Sequence, residues 1–155
     1  MLRELGTLCL APVVMIGYML STDLHISKQP QNKTEVSDAG IIEVMSCETG
    51  LGGGVKASSN GFYGVDIQYG FTYTKGGYSA SFIPKLGLSA VDHTVKELPQ
   101  GTQFGLGAAI VLGYDRYRVG LELWHLSNGS ALGLALTDKP NIGLNLPIVQ
   151  VGMTF

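Results

Sequence analysis

GFYGVDIQYGFTYT, residues 61–74, changes character at every second position. Tyr63, Val65, Ile67, Tyr69, Phe71 and Tyr73 fall on one side of an extended chain, and Gly64, Asp66, Gln68, Gly70 and Thr72 on the other. A period of two belongs to a β-strand, whose successive side chains point to opposite faces. The stretch is also long. Strands of soluble sheets usually run about five or six residues, whereas a tilted strand crossing a bilayer needs about 9 to 11. Which way the apolar face points therefore decides the fold.

The same alternation recurs downstream. In YSASFIPKLGLSA, Tyr78, Ala80, Phe82, Pro84, Leu86 and Leu88 oppose a polar set in which only Ile83 is out of place. Phe104, Leu106, Ala108, Ile110, Leu112 and Tyr114 oppose Gln103 and a run of Gly, Ala and Val. YRVGLELWHLSN and the closing LPIVQVGMTF continue the pattern, and GLGGGVKAS (50–58) and IIEVMS (41–46) repeat it more weakly. Seven strands are legible, and an even number needs one more, from the N-terminal segment. Aromatics gather at strand ends (Tyr63, Tyr73, Tyr78, Tyr114, Tyr117), where an interfacial girdle lies in a membrane barrel. Glycine crowds the polar face, as a narrow, side-chain-filled barrel requires.

Composition agrees. Of 155 residues, 14% are charged and 45% hydrophobic, with 22 glycines; such a chain buries most of itself or meets lipid. No run of about 20 apolar residues occurs in the last hundred, which excludes a helical membrane bundle there. Connections alternate between tight turns, KGG (75–77) and DR (115–116), and long segments, 92–101 and 129–145, the asymmetry of outer-membrane barrels. The expected fold is an all-β, eight-stranded antiparallel transmembrane β-barrel of the outer membrane, over residues 41–155. A soluble barrel also alternates, but its exposed face usually carries Lys, Glu and Thr rather than Gly and Ala.

Residues 1–21, with Arg3 and an apolar stretch from Leu8 to Leu20, read as an export signal, an uncleaved anchor or a first strand; residues 22–40 read as a polar linker. A net charge of −2 without a basic stripe excludes nucleic acid as the expected partner. Cys9 and Cys47 make no metal spacing, and only a single bridge between them is open. No cofactor and no metal is implied. His25 and His93 lack metal-ligand company, and Asp66, Gln68, Lys85, Arg118 and Glu122 fall on the inward face as an interior polar network.

In WHLSNG (124–129) the alternation carries His125 and Ser127 onto the apolar, lipid-facing side, a costly place for polar groups. Positions i and i+2 on a strand lie about 6.5 to 7 Å apart, a gap that a leaning imidazole spans. A histidine base beside a hydroxyl makes a nucleophile, and one facing lipid meets only esters in the membrane. The bland alternative is an interfacial histidine and a strand-end serine.

WHLSNGS, PNIGLN (140–145) and the terminal strand ending at Phe155 together resemble the outer-membrane lipid A deacylases, the PagL-like acyloxyacyl hydrolases. The resemblance covers roughly residues 61–155. It implies an outer-membrane serine esterase that removes the 3-linked acyl chain of lipid A, with lipopolysaccharide and outer-membrane lipids as partners. His125 is then the base, Ser127 the nucleophile and Asn128 part of the oxyanion hole. The family's triad acid falls on Asn145, which accepts an imidazole N–H but brings no negative charge. Asp138 is the alternative acid, while Glu122 faces inward. The competing reading is a noncatalytic structural or adhesin-type barrel that has lost the acid, and a homodimer is left open.

Overall fold

The computed structural model describes residues 12–19, 39–58, 61–91, 101–127 and 144–155. They form a closed antiparallel barrel of eight strands in chain order: β1 (Val13–Met19), β2 (Ala39–Met45), β3 (Gly50–Ser58), β4 (Phe62–Lys75), β5 (Tyr78–Val91), β6 (Gly101–Tyr114), β7 (Tyr117–Ser127) and β8 (Leu144–Thr154). β1 closes the barrel by pairing with both β2 and β8, Ile16 lying between Ile42 and Val151. With no free edge, every strand is paired on both sides.

The eighth strand comes from the N-terminal segment, so of the three readings of residues 1–21 the structure shows the first strand, and the barrel extends beyond the expected 41–155. The barrel begins at Val13, inside the segment read as a signal or anchor, and β2 begins at Ala39, inside the segment read as a linker. The cause is the same period of two: Val13, Met15 and Gly17 turn inward and are buried, while Ile16 is 50% exposed outside. Pro12, which breaks the apolar run as a helix or signal core, stands before the first strand residue, where proline is tolerated. Its carbonyl accepts a hydrogen bond from the backbone N–H of Phe155.

The apolar face points outward. Ile67, Phe71, Leu106, Ile110, Leu121 and Val151 are each more than half exposed, and Glu43, Lys56, Lys85, Glu122 and Gln150 are buried. A soluble barrel would invert this arrangement, so the surface is compatible with an outer-membrane protein. One end carries short turns: Gly76 and Gly77 both adopt positive φ (58° and 82°), as a tight hairpin of the primed type requires, and Asp115 adopts φ 51°. The opposite, open end carries the connections through 20–38, 92–100 and 128–143.

The lumen is filled. Lys56 Nζ contacts Glu43 (2.9 Å), Asp66 (2.8 Å) and Glu122 (3.2 Å), and Lys85 Nζ contacts Glu43 (2.5 Å) and Glu122 (2.7 Å). Gln150 Nε2 donates to Glu43 (2.6 Å) and Glu122 (3.0 Å). Glu43 and Lys56, from the weakly patterned strands, are therefore central to a network expected without them. Arg118 lies outside it, bonded instead to Glu48 at 2.7 and 2.9 Å. Glu48 reaches it because the β2–β3 turn folds back into the barrel end: Thr72 donates to the Glu48 carbonyl (3.0 Å) and Gln68 to the Cys47 carbonyl (3.2 Å). Gly70 makes the room, since a Cβ there would stand 1.7 Å from the Glu48 carbonyl oxygen. Ile83, the misfit of β5, packs inside against Val13, Met15, Met45, Ala109 and Val111.

Candidate active site

β7 sorts its side chains without exception. Arg118, Gly120, Glu122, Trp124 and Leu126 turn inward, and Tyr117, Val119, Leu121, Leu123, His125 and Ser127 outward. His125 and Ser127 thus share the outer face near the open end, two residues apart on one strand. Both are half-buried. Glu122 sits inside with both lysines, which removes it as a triad acid on the outer surface.

Register brings the third residue. His125 pairs laterally with Leu106 on β6 and with Asn145 on β8, and its Nδ1 lies 2.8 Å from Asn145 Oδ1. An amide oxygen accepts but cannot donate, so this contact places the proton on Nδ1 and leaves the lone pair on Nε2. A neutral imidazole with Nε2 free is the tautomer that a general base uses. Ser127 pairs laterally with Phe104. Asn128 and Asp138, the expected oxyanion-hole donor and alternative acid, lie outside the described residues, as do His25, His93 and Cys9. Among the described residues no cluster of His, Cys, Asp and Glu is placed to hold a metal.

The frame behind His125 is Trp124, fully buried on the opposite face. Its indole lies flat across β6: a Cβ at Gly105 would come within 2.1 Å of the ring and one at Gly107 within 2.3 Å. Trp124 Nε1 donates to Ser89 Oγ (3.4 Å), and the Lys56 ammonium stands 4.5 Å from the ring centroid, a cation–π contact. A large ring locked from three sides fixes the β7 backbone one residue before the histidine. The glycines of β6 are visible in the sequence, but nothing there shows which ring they accommodate.

What this arrangement can do follows from its parts. It offers a hydroxyl and an imidazole, the latter held by a neutral amide, on an outer face that is mainly apolar. No protein-family model matches the chain, and no curated protein and no solved structure matches it either.

Proposed function

We propose that this barrel is a serine esterase that hydrolyses an acyl ester of lipid A in the outer leaflet of the outer membrane. The observation that carries the proposal is the His125–Asn145 contact at 2.8 Å on the lipid-facing side. The contact satisfies an imidazole N–H on an apolar face, and it does so in the tautomer that leaves Nε2 available toward Ser127, two residues away on the same face. Ser127 Oγ attacks the ester carbonyl as His125 Nε2 takes its proton; the imidazolium then returns that proton to the departing alkoxide, and water repeats the sequence on the acyl-enzyme. Asn145 holds the tautomer, in the manner of triads whose third member is asparagine. Asn128 is the proposed oxyanion donor.

Depth supports the substrate class. Tyr73, Tyr78, Tyr114 and Tyr117 form an exposed aromatic cluster at the short-turn end of β4 to β7. From Tyr117 to His125 the strand climbs about 27 Å, or about 20 Å along the axis at a tilt of about 40°, against an apolar band about 25 Å tall. The catalytic pair therefore meets the boundary between acyl chains and headgroups, where lipid esters lie.

The 3-linked chain of lipid A is the bond to test. Lipid A incubated with the wild-type protein should lose one acyl chain by mass spectrometry, and lipid A incubated with Ser127→Ala should not. The second reading, a noncatalytic barrel, is favoured by the missing charge at Asn145; an unchanged wild-type spectrum would establish it over the esterase.

A further inference from the structure

Every strand is paired on both sides, but not over its whole length. β3 meets β4 for the last time at Gly50 and Gly70, whereas β4 runs on from Phe71 to Lys75 with β5 alone. β3 goes no further because the residues before it turn into the barrel, where the Glu48 carboxylate meets Arg118 and the Glu48 carbonyl meets the Thr72 hydroxyl. β4 thus extends about 17 Å past its last β3 partner, and the side that faced β3 is left open. Phe71 is 58% and Tyr73 68% exposed, and Thr74 and Lys75 are exposed as well.

The turn fixes which backbone groups this edge offers. Lys75 and Tyr78 flank the tight turn made by Gly76 and Gly77, and residues in that position exchange backbone hydrogen bonds with each other. Alternation then gives the backbone groups of Lys75, Tyr73 and Phe71 to β5 and sends the N–H and C=O of Thr74 and Thr72 to the other side. Among the described residues neither threonine has a backbone partner there. A bulge or a proline is the usual protection of such an edge. Here the register from Phe71–Phe82 to Lys75–Tyr78 is unbroken, and Phe71 to Lys75 contains no proline.

We infer that the Phe71–Lys75 edge of β4 is a docking site for an extended peptide that joins the sheet as an added strand. In an outer-membrane barrel the short turns face the periplasm, so the peptide comes from that side, at the opposite end of the barrel from His125. Antiparallel pairing with the same edge of a second copy would stand that copy upside down in the membrane, which favours a separate chain. The edge prescribes the chemistry of its partner. The N–H and C=O of Thr72 and Thr74 bond to the peptide backbone, as in other strand additions. Side chains alternate along the added strand as they do along β4: apolar ones lie beside Phe71 and Tyr73, and small or hydroxyl-bearing ones opposite Thr72 and Thr74. A carboxylate at one end of the peptide meets the exposed Lys75 ammonium.

The test uses the whole barrel, isotope-labelled for NMR in detergent micelles, and a synthetic hexapeptide of alternating valine and threonine that ends in aspartate. In the free barrel the Thr72 and Thr74 amides should exchange freely with solvent while the Tyr73 amide is protected, and both threonine signals should shift saturably as the peptide is added. Thr74→Pro removes one edge N–H without touching the β5 ladder and should weaken binding about tenfold, the scale of one lost backbone hydrogen bond. Lys75→Glu should turn the preference toward a hexapeptide ending in lysine, and it decides the matter if the proline variant fails to fold. Threonine amides already protected in the free barrel, no saturable shift, equal affinity in a folded Thr74→Pro barrel, or an unchanged preference in a folded Lys75→Glu barrel each overturn the proposal. Protection that grows with barrel concentration and needs no peptide overturns it in favour of a second copy.

Discussion

Asn145→Asp replaces an amide by a carboxylate of the same shape, 2.8 Å from His125 Nδ1. On the esterase reading, the imidazolium formed during attack in the wild type has a neutral partner, so its charge is stabilised only by the amide dipole. Two unit charges about 4 Å apart attract by about 4 kcal/mol at an effective dielectric of about 20, the value suited to a half-buried site. The carboxylate itself loses hydration beside lipid, and only part of the charge has developed in the transition state. Taking about half leaves about 2 kcal/mol, or about a thirtyfold rise in turnover. Asn145→Leu, which removes the acceptor and leaves Nδ1–H unsatisfied, should lower turnover instead. The assay is the initial rate of acyl release from lipid A, with the heat-dependent gel shift of an intact barrel as the folding control. An Asn145→Asp barrel that folds and turns over no faster than wild type would refute the reasoning, since residue 145 would then not be the partner of the reacting imidazole.

His125→Ala and Ser127→Ala should each abolish ester release while leaving the gel shift intact, because both face outward and neither belongs to the interior network. Lys85→Met leaves Glu43 and Glu122 to share Lys56 in the lumen, and breaking a buried pair in this way costs about 3 to 5 kcal/mol, read as a lower urea midpoint in detergent; adding Glu122→Met should recover part of it. Ile16→Arg puts a charge on the outer face of β1 and should cost about 2 to 4 kcal/mol in lipid vesicles; no loss there would take β1 out of the lipid-facing wall. Gly107→Val drives a side chain into the Trp124 ring and should lower both stability and turnover, since the ring steadies the strand that carries His125.

The barrel was legible wherever alternation was strong and long. β4 to β8 follow from the period of two, because a strand between an apolar outer face and a filled lumen must sort its side chains at every step. β1 was legible only as one of three readings of its segment. Val13, Met15 and Ile16 form a short apolar run that also fits an export signal, and only pairing with β8 distinguishes the two. The interior network was half legible: Asp66, Lys85 and Glu122 stand on clearly inward faces, whereas Glu43 and Lys56 lie on strands too irregular to orient. Arg118 is inward as expected, but its partner Glu48 comes from a turn that folds back, which no periodicity encodes. At the site, His125 and Ser127 follow from the alternation. The contact of His125 with Asn145 was expected only from the resemblance, because it depends on lateral register between β7 and β8, which alternation along one strand does not specify.

Trp124 and His125 are neighbours on opposite sides of one wall, the indole steadying it from within and the imidazole facing outward. Because a strand's faces exchange when its register slips by one, a single residue inserted between Tyr117 and Leu123 would send the imidazole into the lumen and the indole into lipid. On the esterase reading, a length change in β7 forfeits scaffold and reactivity in the same event, with no intermediate loss of either.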